Sequence, residues 1–95
     1  MQIDTFVRFH ARKGCEDQLA AVMLAVRPLV RAEPRCLSIE FYRSIQDPRV
    51  FHIHSSWLDE AAFELHAELP HTVRFLEQIA PLIDHELKVE RTAGV

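Results

Sequence analysis

From Ile3 to Ala11 the chain alternates: Ile3, Thr5, Val7 and Phe9 fall on one face, and Asp4, Phe6, Arg8 and His10 on the other. β-Branched and aromatic content predicts a strand here, ended by Lys13-Gly14. Leu19, Val22, Met23, Val26, Leu29 and Val30 then repeat at helical spacing, with Glu16 and Asp17 in the first turn, where the helix dipole favours anions. Pro28 sits inside that stripe, so a kink or break near Ala25 is expected. Cys36 to Ser44 alternates again, Leu37, Ile39 and Phe41 against Ser38, Glu40 and Tyr42. Gln46-Asp47-Pro48-Arg49 makes a turn into a third strand, Val50 to Trp57. Its Phe51, Ile53 and Trp57 share one face, with His52 and His54 on the other. Asp59 is placed to cap a helix from Glu60 to about Leu69, whose core positions are Ala62, Phe63, His66 and Leu69. Pro70 breaks it. A further helical piece carries Val73, Phe75, Leu76 and Ile79, and a last strand spans His85 to Arg91 with Leu87 and Val89 on one face.

The predicted order is β-α-β-β-α-β, the ferredoxin-like α+β pattern of an antiparallel sheet with helices on one face. At 95 residues the whole chain, 1–95, is expected to be a single domain with a marginal core, for which self-association is a natural remedy. The other sheet face carries Phe6, Tyr42 and Val50 among its polar groups, so a partner sheet is expected to cover it.

Only two glycines occur, Gly14 and Gly94, which excludes a dinucleotide-binding loop, a P-loop and a nucleophile elbow. The net charge of −3 and the scattered arginines leave no footprint for nucleic acid. No uncharged run exceeds Gln18 to Val26, far short of a membrane span. Cys15 and Cys36 have neither CxxC nor zinc-finger spacing. They are expected at opposite ends of the first helix, on the order of 20 Å apart, too far for a disulfide. Free thiols in a cytoplasmic protein is the expectation.

Arg31-Ala32-Glu33-Pro34-Arg35-Cys36-Leu37, then Trp57-Leu58-Asp59-Glu60-Ala61-Ala62 and His66, resembles the antibiotic biosynthesis monooxygenase family. Phe51-x-Ile53 and Pro70-His71 fit as well, so the resemblance covers essentially the whole chain. It implies a dimeric α+β barrel in which two ferredoxin-like sheets pack face to face. The family it points to includes cofactor-independent quinol or polyketide monooxygenases, haem-degrading enzymes and an isomerase of a signalling sugar. Three positions depart from its pattern. Arg35 stands for the usual glycine after Glu-Pro, Ser55 for a common glutamate two residues before the tryptophan, and Val7 where haem-degrading members carry an asparagine.

The chemistry this implies needs no metal or other cofactor. A phenol or quinol held in an apolar pocket must lose a proton before its anion can reduce O2, and His66 is a suitable base or proton shuttle. Trp57 would be a stacking wall, and Val7, Phe9, Phe51, Ile53 and Phe63 the apolar lining. The plainer reading makes Trp57 core and His66 a packing residue. His52 and His54, with His71 and His85 as possible companions, offer imidazoles for a metal, but no suitably spaced carboxylate or cysteine joins them, and a polar interface is favoured. The expected function is a small monooxygenase of an aromatic phenol or quinol. The alternatives are an isomerase of a small oxygenated metabolite or a non-enzymatic ligand-binding dimer, distinguished by how polar and how open the cavity beside His66 is.

Overall fold

The computed structural model describes residues 1–95. Its order is β1 (Ile3–His10), α1 (Glu16–Arg31), β2 (Cys36–Arg43), β3 (Val50–Trp57), α2 (Glu60–Glu68), α3 (Pro70–Ile79), a short 3-10 turn (Ala80–Leu82) and β4 (Lys88–Thr92). The strands form one antiparallel sheet in the order β2-β3-β1-β4, the ferredoxin-like arrangement. The helices cover one face. Leu19, Met23, Val26 and Val30 from α1, Ala62 from α2 and Phe75 and Ile79 from α3 close over Ile3, Phe9, Phe51 and Trp57.

Local chemistry sets the element ends. Gly14 takes φ +90, a conformation open to glycine, and its N–H donates to Glu16 Oε1 at 2.9 Å. That bond helps to start α1, because Cys15 at the N-cap offers no side-chain acceptor. Asp59 caps α2 by accepting from the Ala62 N–H at 2.8 Å, as its position predicts. Leu69 is extended (φ −68, ψ 147), as a residue before proline prefers, and Pro70 opens α3 at its first turn. The turn before β2 forms with Arg35 in place of glycine and no side-chain-bearing residue at positive φ.

Five expectations are corrected. Helix α1 runs unbroken from Glu16 to Arg31 through Pro28. The proline lies only three residues from its end, where little ladder remains to be lost and the packing of Val26 and Val30 holds the last turn. Leu29 is exposed and lies outside the buried stripe. In β2 the register slips between Cys36 and Ser38, a bulge that places Leu37 in solvent while Ile39 is buried. Strand β4 begins at Lys88, so Leu87 precedes it; in α3 the buried stripe is Thr72, Phe75 and Ile79, with Val73 and Leu76 more exposed.

On the open face Phe6 and Tyr42 are about half exposed, while Val50 is already buried within the single chain. The Phe6 ring stacks on His54 at 4.7 Å, and Asp4 accepts from His54 Nε2 at 3.0 Å and from the Ser56 hydroxyl. Both cysteines are free thiols. Burial, with the nearby Glu33 carboxylate, pushes the Cys36 thiol up, so it is a poor nucleophile at neutral pH.

Candidate functional site

The helix-covered face of the sheet contains a cavity of about 350 Å³, with 13 hydrophobic residues among the 18 that line it. Strand pairing lays its floor out in rows. Ile39, Ser55, Thr5 and Arg91 form one row across the four strands, and Phe41, Ile53, Val7 and Val89 the next. Helices close the roof with Val26, Val30, Phe63, His66, Phe75 and Leu76. A sheet row of alternate residues from every strand therefore becomes one wall, which explains why strand parity alone selects so much of the lining.

His66 projects from α2 into this wall with a side chain only 13% exposed. Its Nδ1 lies 2.8 Å from Glu33 Oε2, and His71 Nε2 lies 2.7 Å from the same oxygen. Thr72 Oγ1 stands 3.3 Å from His66 Nδ1. An ionised carboxylate only accepts, so Nδ1 must carry the proton and donate it. In the neutral ring the lone pair is then on Nε2, which has no partner within the protein. No buried side-chain nitrogen or oxygen lacks a hydrogen bond, so Nε2 reaches open space. The arrangement is a carboxylate that holds and orients an imidazole beside a mostly apolar cavity.

Burial is the largest influence on His66 and pulls its pKa below the ordinary histidine value; the Glu33 hydrogen bond and charge oppose this, and His71 adds to it. The ring is therefore neutral at pH 7. In the unfolded chain His66 protonates first as pH falls through about 6.5. Its contribution to stability is thus complete above that value and declines as pH drops toward the lower folded midpoint. We expect His66→Gln to flatten the fall in stability between pH 7.5 and 5.5, measured by urea denaturation against wild type. An unchanged slope would contradict the assignment.

Trp57 requires a correction. It is 1% exposed and does not line the cavity; it lies behind His66, ring centroids 4.5 Å apart, and meets Phe63 edge-on at 5.8 Å. Its Nε1–H donates to Ser55 Oγ at 2.9 Å, which turns the indole inward. Phe51 likewise lies outside the lining, buried beside its cross-strand partner Phe9 with the Arg43 guanidinium 5.3 Å from its ring. Val7, Phe9, Ile53 and Phe63 do line the cavity.

Sequence reasoning did not assign Glu33, Ser55 or Arg91 a role, and considered His71 only as a possible companion of His52 and His54. Glu33 and His71 sit in the segments that carried the resemblance, but their meeting across 38 residues depends on the α2–α3 bend at Leu69. Arg91 ends the floor row at the edge strand, its guanidinium 5.1 Å from the Phe63 ring and bonded to Glu60 and Glu64.

Neither His71 nor His85 joins His52 and His54. His85 instead lies beside Asp84, which also binds His10 and Arg49. Two sets could in kind hold a divalent ion: Glu33, His66 and His71, and His10, Asp84 and His85. In the first the carboxylate is already engaged by both imidazoles; in the second Arg49 occupies one oxygen of Asp84.

Residues 5–78 match the antibiotic biosynthesis monooxygenase family. The chain belongs to that family. Among solved structures it is similar to Rv0793 from Mycobacterium tuberculosis, with TM-score 0.93 and 22% identity over 100% of this chain and 96% of that one. PA3566 from Pseudomonas aeruginosa gives 0.91 and 23% over 99% and 94%. SO0527 from Shewanella oneidensis gives 0.84 and 25% over 97% and 93%. These likenesses establish the ferredoxin-like fold of the family. No helix is long and apolar enough to cross a membrane.

Proposed function

We propose that this antibiotic biosynthesis monooxygenase family member is a cytoplasmic homodimer that oxygenates a phenol- or quinol-type aromatic with O2, using no metal or flavin. The observation that carries the reading is His66, which lines an apolar cavity with its Nδ1 held by Glu33 and its Nε2 without a partner in the protein. Nε2 takes the substrate's hydroxyl proton. The resulting anion is electron-rich enough to reduce O2, and an apolar enclosure keeps the intermediate from water. One oxygen atom forms a bond to a ring carbon; the other leaves as water with the two hydrogens lost by the substrate. A phenol plus O2 thus becomes a quinone plus water, and the substrate itself is the only reductant.

The open volume counts against a filled scaffold, and the mostly hydrophobic walls count against an isomerase, which needs several convergent polar groups. Oxygen uptake with a panel of quinols and polycyclic phenols tests the reading. The expected result is one O2 consumed per substrate, a quinone product and no hydrogen peroxide. Stoichiometric peroxide, or no uptake with any member, would overturn it.

The dimer would form through the open sheet face, where Phe6 and Tyr42 are about half exposed amid polar groups. Sedimentation at micromolar concentration is expected to give a dimer. Phe6→Glu is expected to shift it toward monomer, by placing a charge in the covered patch. A wild-type monomer would contradict the proposal.

A further inference from the structure

A second group of convergent side chains, sharing no residue with the His66 site, meets at the end of β1. Two imidazoles reach the same oxygen of Asp84: His10 Nδ1 stands 2.9 Å from Oδ1 and His85 Nδ1 2.6 Å from it. The other oxygen, Oδ2, lies 2.9 Å from both His10 Nδ1 and the Arg49 guanidinium. One ligand atom from each of His10, Asp84 and His85 lies within 4.8 Å of the other two. The backbone holds two of the three in place. The Asp84 N–H donates to the His10 carbonyl at 3.0 Å, and the buried Ala11 and Ile83 form the next bridge.

Ion pairing accounts for Arg49, which also donates to the Ala11 carbonyl at 3.0 Å. It does not account for His85. That side chain is 76% exposed, and solvent screens any further pairing with a carboxylate already engaged. Coordination accounts for both imidazoles. Zinc takes nitrogen and oxygen ligands at about 2.0–2.2 Å, so neighbouring tetrahedral ligand atoms stand about 3.3 Å apart. The two distances to Oδ1 fall short of this by less than about 1 Å, which the exposed His85 ring is free to supply.

The surroundings suit a bound ion. Arg49 keeps Oδ2 and so turns Oδ1 toward the imidazoles. Ligation through Nδ1 moves each ring proton to Nε2. In His10 that nitrogen is 3.6 Å from Asp47 Oδ2, the outer carboxylate that a ligating imidazole commonly has. Both imidazoles also border a hollow of about 260 Å³, so a fourth position opens there. Glu86 in its wall favours a cation; Arg8 and Lys88 oppose one and favour an anion or water as the fourth ligand.

We propose that His10 Nδ1, Asp84 Oδ1 and His85 Nδ1 bind a divalent zinc-type ion, with Asp47 and Arg49 as positioning residues. Calorimetry on the untagged chain at neutral pH, with zinc chloride as the only ligand, tests it. Wild type is expected to bind one equivalent. His85→Ala is expected to weaken binding by more than about tenfold, and Asp47→Asn by about tenfold, the lower end for an outer partner. His71→Ala is expected to stay within about twofold of wild type, as an independent site should. Magnesium, which takes oxygen ligands, is expected not to compete. Zinc is also expected to raise the Tm of wild type and not of His85→Ala. No zinc binding by wild type would overturn the proposal, and so would unchanged affinity in His85→Ala or Asp47→Asn. A loss in His71→Ala as large as in His85→Ala would place the ion at Glu33, His66 and His71 and overturn it too. Displacement of zinc by equimolar magnesium would mean an acidic patch and not a site built on histidine. The wild-type, His71→Ala and magnesium measurements decide the matter without reliance on the fold of His85→Ala.

Discussion

His66→Ala is expected to lower kcat/KM for oxygenation by about 10²–10⁴-fold, the usual worth of a positioned general base. Alanine removes the Nε2 lone pair beside the cavity and leaves Glu33 still bonded to His71. Activity should follow the fraction of neutral His66, so the acid limb of the wild-type pH profile is expected below the ordinary histidine value. Glu33→Gln gives a sharper outcome than simple loss. Its hydrogen bond and charge now raise the His66 pKa, so their removal moves the acid limb lower still. The amide can also present its NH2 group to Nδ1, which would move the ring proton to Nε2 and remove the base even in a neutral ring. A large loss of kcat with little change in substrate binding is therefore expected. An oxygen electrode reading of H66A within about threefold of wild type would remove His66 from the mechanism.

Alternation was enough to set the parity of β1 and β3, because a one-residue slip would have turned Phe9 and Ile53 to the open face. The buried Thr5, Phe9, Phe51 and Ile53 follow from it. Asp59 and Pro70 were equally legible, since each acts within four residues of itself. What pattern could not reveal was long-range convergence. Glu33 lies just after α1 and His71 in the first turn of α3; only the packing of those helices brings both to His66. Leu37 was misplaced because the bulge in β2 adds a residue that alternation cannot register. Trp57 was placed on the right face and given the wrong job. Parity states that it points toward the helices, but its depth is set by the Ser55 hydroxyl below and the His66 ring above.

That depth makes a last prediction with a large effect. Trp57→Ala is expected to destabilise the fold by about 3–5 kcal/mol, the range for truncating a buried aromatic. For a domain near this size the corresponding fall in Tm is on the order of 15–30 °C. Circular dichroism is the suitable probe, because Trp57 is the chain's only tryptophan and its fluorescence is lost with it. Trp57→Phe keeps most of the contact with Phe63 and His66 and forfeits the N–H to Ser55, so a smaller loss of about 1–2 kcal/mol is expected. The two possible roles diverge here. A wall residue facing the ligand would tolerate truncation in the empty protein and show its loss in KM. A residue packed behind the His66 ring fails in the opposite order, unfolding at lower temperature before any substrate is added. A Trp57→Ala protein that melts within a few degrees of wild type yet binds hydroxyarenes poorly would restore the stacking-wall role and displace the buried one argued from its contacts.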